Sequence, residues 1–152
     1  MAPIRITKQV NAPPETVFQV AADLESWPEH IAGIERVELL TEGPATMGTQ
    51  FRETRVMFGR EATEEMEFVE FDPPHGFTLR SVSCGAEYLC RHVFQPDDLG
   101  TSVEMEILTR PLTLAAKLMA PLGRLMAGPM KKMIDADLND LKRVAEQRSP
   151  DD

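Results

Sequence analysis

Apolar and polar residues alternate along this chain with two different periods, and the changes of period divide it into four parts. Ile4 and Ile6 alternate with polar neighbours, which predicts a first β-strand. In NAPPETVFQVAADLESW, Asn11 precedes prolines suited to a first helical turn, and Val17, Phe18, Val20, Ala21 and Leu24 are spaced to bury one helix face. The Trp27-Pro28 pair is expected to end that helix, because a residue before proline is pushed out of the helical region. From Ile34 to Thr109 the period is two, predicting strands near 34–41, 49–57, 61–71, 76–83, 87–95 and 101–109. Turn signals separate them: Gly43-Pro44 with Gly48, Gly59, Asp72 to Gly76, Cys84-Gly85, and Pro96 to Gly100. Links this short join antiparallel neighbours, since a parallel crossover needs about a dozen residues or more. After Pro111 a helical pattern runs to about Gln147, with Met119, Leu122, Met126, Met130, Met133, Leu141 and Val144 on one stripe. Pro121, Gly123, Gly128 and Pro129 are expected to break or kink its first half.

The predicted architecture is α+β: a curved antiparallel sheet of about seven strands that buries its apolar face against the long C-terminal helix. No repeat or linker is visible, so residues 1–148 are expected as a single domain and 149–152 as a disordered tail. Alternation also assigns faces. Phe51, Glu53, Arg55 and Met57 share one side of their strand, and Ala62, Glu64, Met66 and Phe68 run in phase before Val69 and Phe71 shift it. That shift predicts a bulge near Phe68. Phe77, Leu79, Ser81 and Ser83 form a third set, Tyr88, Cys90, His92 and Phe94 a fourth, and Val103, Met105 and Ile107 a fifth. These are taken as the helix-facing sets.

This assignment points Glu53, Arg55, Tyr88 and His92 into an otherwise apolar interior, where a charge has to be paired or neutralised. Glu53 and Arg55 suit a mutual ion pair or the polar groups of a ligand. His92, with a pKa near neutrality, suits a proton shuttle, and Tyr88 suits a donor to a carbonyl. Asp137 is the least expected residue, because it sits mid-stripe on the C-terminal helix where leucine would be the norm. It is placed to accept from Arg55, from a ligand, or from a backbone donor or buried water.

Composition narrows the classes of function. Acidic residues (25) outnumber basic ones (16) for a net charge of −9, which argues against nucleic acid and, except locally, against an anionic membrane surface. No stretch reaches the roughly 20 apolar residues of a membrane span. Cys84 and Cys90 are expected as free thiols, and MAPIRITKQV lacks a long apolar run, so the expectation is a cytoplasmic protein. His30, His75 and His92 lack metal-ligand spacing, and GxGxxG, P-loop and GxSxG motifs are missing, so no metal or cofactor is expected. Nine methionines equal all the aromatics together, and the apolar segment PLTLAAKLMAPLGRLMAGPM holds several. A membrane-docking surface, a homodimer contact and a cavity wall all fit that segment. The cavity wall is taken as the reading, because methionine conforms to varied apolar ligands.

The segments VNAPPETVFQVAADLESWPEHIAGIERVE, FDPPHGF, FQP with GTSVEME, and ADLNDLKRVAEQ together resemble the START-like, helix-grip superfamily (SRPBCC), in its polyketide cyclase/dehydrase and lipid-transport branch. The resemblance implies two short helices after the first strand and an apolar cavity between sheet and C-terminal helix. It implies binding of a hydrophobic, lipid-like or polyketide-like molecule, for transport or sequestration. A cyclase, aromatase or dehydratase using His92 and Arg55 is the enzymatic alternative, and a chaperone-activator-like interaction module is a third. The ligand is expected to touch Phe51, Glu53, Arg55, Met66, Leu79, Ser81, Tyr88, Cys90, His92 and Met105 of the sheet. Met126, Met130, Met133 and Asp137 would face it from the helix.

Overall fold

In the computed structural model, which describes residues 3–148, the period-two region folds into one antiparallel sheet. Its strands are β1 (Ile4–Val10), β2 (Ile34–Leu39), β3 (Gln50–Met57), β4 (Arg60–Asp72), β5 (Gly76–Ser83), β6 (Ala86–Asp97) and β7 (Gly100–Pro111). The order is β1-β7-β6-β5-β4-β3-β2, a meander whose last strand pairs with the first. The expected tail, 149–152, lies outside the described residues. Phe58-Gly59 and Cys84-Gly85 close two hairpins with all four residues at positive φ, the handedness that matches strand twist. Gly100 (φ 140°) opens β7 so close to the end of β1 that a Cβ would lie 2.6 Å from the Val10 carbonyl oxygen. A register shift between Phe68 and Glu70 marks the expected bulge, and it brings Phe71 back in phase with Phe77.

The first helical region ends differently from the expectation. α1 (Pro14–Ala22) stops before Asp23, a 3-10 turn spans Leu24–Ser26, and α2 (Trp27–His30) follows. Trp27 is itself helical (φ −54°, ψ −44°), because Pro28 falls in the first turn of a new helix, where no backbone N–H is needed. The Trp27 indole donates to the Ala21 carbonyl at 3.1 Å, folding α2 back on α1.

The C-terminal pattern is also divided, into α3 (Leu114–Leu118), α4 (Ala120–Leu125) and α5 (Ala127–Gln147). The breaks fall at Met119 and Met126, with ψ of 0° and −7°, each just ahead of a proline in the next helix's first turn. Only α5 is buried along its stripe, through Ile134, Leu138, Leu141, Val144 and Ala145. The cavity wall expected over the whole apolar segment is therefore not formed. Leu114, Leu118 and Leu125 are 72%, 72% and 74% exposed, and Met119 and Met126 lie on the solvent side.

Aromatic rings fill one end of the concave sheet. Phe18 of α1 stands edge-on to Phe71, Phe77 and Phe94 at 5.2, 5.8 and 5.7 Å. Phe68 joins Phe71 and Phe77, and Phe51 links it to Trp27. At the other end the same face carries Met57, Ala62, Glu64, Ser83, Tyr88 and Ile107, all of them only partly covered. The concavity is thus sealed beneath α1 and looser toward α3 and α4.

Candidate functional site

Directly opposed residues of an antiparallel sheet share a face, so the register tests the face assignments. Phe51 opposes Met66, Glu53 opposes Glu64, Leu79 opposes Cys90, Ser81 opposes Tyr88, and His92 opposes Met105. Arg55 lies two residues beyond Glu53, and every sheet residue of the expected set sits on the one concave face. From α5, Met130 packs on the core, Met133 is half-buried, and Asp137 reaches Arg55. Met126 does not join them, because the helix break turns it outward. Phe51 has no free surface and serves the aromatic cluster.

The polar centre is built around one guanidinium. Arg55 Nε donates to Glu53 Oε1 at 2.5 Å, and Nη2 donates to Asp137 Oδ2 at 2.9 Å. Nη1 is buried with no partner among the described residues. Burial opposes the Arg55 charge, but the Glu53 and Asp137 carboxylates more than offset it and raise its pKa. Two carboxylates share that single cation, and burial raises the pKa of Asp137, with repulsion from Glu53 and Asp140 adding to it against Arg55. Gly33, between α2 and β2, lies over this pair, and a Cβ there would come within 3.8 Å of Asp137 Oδ1.

Glu64 is absent from the expected ligand set, although its phase with Ala62 and Met66 already places it inside. Burial raises its carboxyl pKa, opposed by Arg55, and it faces Glu53 across the β3–β4 ladder. The interior therefore gathers three carboxyls around one guanidinium.

His92 stacks on Phe77, with ring centroids 4.4 Å apart and planes at 25°. Burial lowers its pKa to about 4, with a Cys90 backbone interaction working the other way. The expected near-neutral pKa is corrected: desolvation among aromatic rings keeps this imidazole uncharged at pH 7. Its Nδ1 is buried without a partner among the described residues. Burial pushes the Cys90 thiol up to about 12, which removes it as a nucleophile. The Tyr88 hydroxyl is raised mainly by burial and then by Glu64, and stays protonated as a donor. Two surface depressions, of about 210 Å³ beside Leu24 and Pro44 and about 280 Å³ beside Lys131 and Lys132, include none of these residues. Among the described residues no three His, Cys, Asp or Glu side chains group as a metal set.

A curved antiparallel sheet closed over a C-terminal helix, with a polar cluster set in an apolar interior, defines the START-like helix-grip class. Residues 1–146 match the family described as polyketide cyclase / dehydrase and lipid transport, and the chain belongs to that family. Among solved structures it resembles TTHA0849 from Thermus thermophilus, at 22% identity and a TM-score of 0.71 over 95% of this chain and 97% of that one. It also resembles Ara h 8.0201, at 14% identity and 0.76 over 97% and 99%. The di-domain ARO/CYC StfQ from the steffimycin biosynthetic pathway gives 15% identity and 0.79 over 96% of this chain and 51% of that one. No curated protein matches the sequence.

Proposed function

We propose that this protein binds a hydrophobic small molecule, lipid-like or polyketide-like, between the concave sheet and α5. The observation that carries the reading is the looser end of the concavity. There Met57, Ala62, Met66 and Ile107 are apolar and only partly covered, and Met130 of α5 is likewise only partly buried. An apolar wall supplies the driving force, and a few fixed polar groups set orientation. Arg55 Nη1, Tyr88 and the neutral His92 lie at different points along the concave face and would each meet a separate polar group of the ligand. Methionine side chains adapt to shape, so shape selects the ligand more than charge does.

Titration with fatty acids, isoprenoids and aromatic polyketides, together with native mass spectrometry of co-purifying molecules, tests this. One apolar class is expected to bind at one molecule per chain. Failure of all three classes with folded protein overturns the reading.

A cyclase or dehydratase is the second reading, favoured by the raised carboxyls of Glu64 and Asp137, which would hold protons in an apolar site. Proton transfer would then run through these carboxyls rather than through His92. Turnover of a bound polyketide that Glu64→Gln abolishes while binding persists supports it. A polyketide recovered unchanged after binding speaks for a carrier.

A further inference from the structure

Charge and exposed apolar surface coincide in one stretch of this chain. Residues 107–134 carry Arg110, Lys117, Arg124, Lys131 and Lys132 and not one acidic residue, in a protein of net charge −9. The same stretch holds Leu112, Leu114, Leu118, Met119, Leu122 and Leu125, each between 46% and 74% exposed. α3 leans on the end of β7 and α4 packs on α3 and α5, which leaves both helices with an uncovered apolar side. Leu114 and Leu118 are four residues apart and Leu122 and Leu125 three, so each pair shares a helix face. Most other cations of the protein are held in ion pairs. Lys117, Arg124, Lys131 and Lys132 make none with the described residues. Lys131 and Lys132 also flank the depression of about 280 Å³ at the start of α5, where Asp135 is already engaged by Lys8 at 2.7 Å.

We propose that α3, α4 and the first two turns of α5 form a docking surface for an anionic lipid bilayer. The leucines would sink into the boundary between headgroups and acyl chains, and the four unpaired cations would meet lipid phosphates. Charge complementarity selects this occupant: a basic patch on an acidic protein is attracted to an anionic surface while the remaining faces are repelled and held off. The element is a peripheral one, since no described helix is long and apolar enough to cross a membrane. It borders the looser end of the concavity, so docking would bring that end to the bilayer.

Flotation of the full chain with vesicles of phosphatidylcholine containing phosphatidylglycerol, against phosphatidylcholine alone, tests the proposal. Binding is expected only to the anionic vesicles, falling as salt rises. Lys131→Ala and Lys132→Ala should each weaken it about fivefold, the effect of one cation near the surface. Leu118→Asp with Leu125→Asp, at positions too exposed to disturb folding, should abolish it. Folded protein that leaves anionic vesicles unbound at low salt overturns the proposal, as does equal binding by the Leu118→Asp/Leu125→Asp protein. A wild-type dimer in sedimentation that this double variant converts to a monomer also overturns it, by assigning the patch to a second copy.

Discussion

Arg55 on β3 and Asp137 on α5 are joined by a 2.9 Å hydrogen bond across the interior, so the guanidinium that Glu53 holds from its own strand also fastens the helix to the sheet. Replacing Asp137 by Ala leaves Arg55 its Glu53 partner and should cost about 2 kcal/mol, as for one charge-assisted bond. Arg55→Met strands Glu53 and Asp137 and should cost about 3–5 kcal/mol. The combination Arg55→Met/Asp137→Leu should cost clearly less than the sum. Urea unfolding measures all three, and strict additivity would mean that the pair carries no mutual energy.

His92 makes stability depend on pH. The folded imidazole has a pKa of about 4 against an ordinary 6.5, so the unfolded chain takes up a proton that the folded one refuses. Stability therefore falls as pH drops from about 6.5 to about 4 and levels off below, a loss of about 3 kcal/mol. The raised carboxyls of Glu64 and Asp137 act oppositely, because they hold protons more readily when folded and so favour folding as pH falls. Subtracting the profile of His92→Gln isolates the histidine. Parallel profiles for wild type and variant would show that the ring is not desolvated.

The two thiols should differ sharply in reactivity. Cys84 is exposed in its hairpin turn, whereas Cys90 lies on the concave face with its thiol pushed up to about 12. A disulfide reagent at neutral pH should label one thiol per folded chain and the second only on unfolding. In Cys84→Ser the fast phase should vanish. Rapid labelling of both thiols would contradict the buried position of Cys90.

Two phenylalanines should respond in opposite directions. Phe68, fully buried among Phe51, Phe71 and Phe77, should cost about 3–5 kcal/mol on change to Ala. Phe58 is 52% exposed at φ 53° in the β3–β4 turn, a left-handed conformation that a bulky side chain adopts at a cost. Phe58→Asn would create an Asn-Gly turn and should raise stability by about 1 kcal/mol. Thermal or urea midpoints read both.

Much of this molecule is determined by the sequence alone. Alternation in β3 to β7 sets which side chains share the concave face, and the phase change after Phe68 sets the bulge, because a strand's two-residue period is a local property of the backbone. What lies on that face follows from the same count, Glu53, Arg55, Glu64 and His92 included. Other features required the closed tertiary structure. Periodicity runs one helical stripe through Met119 and Met126, yet the chain breaks at both, and exposure there depends on what the remaining surface can cover. His92 is neutral only because Phe77 and the closed core desolvate it, and Arg55 meets Asp137 only because residues 82 apart in sequence are brought together. Burial and long-range pairing are properties of the assembled interior: the helical stripe singles out Asp137 with Arg55 among its candidate partners, and only the closed fold selects that partner.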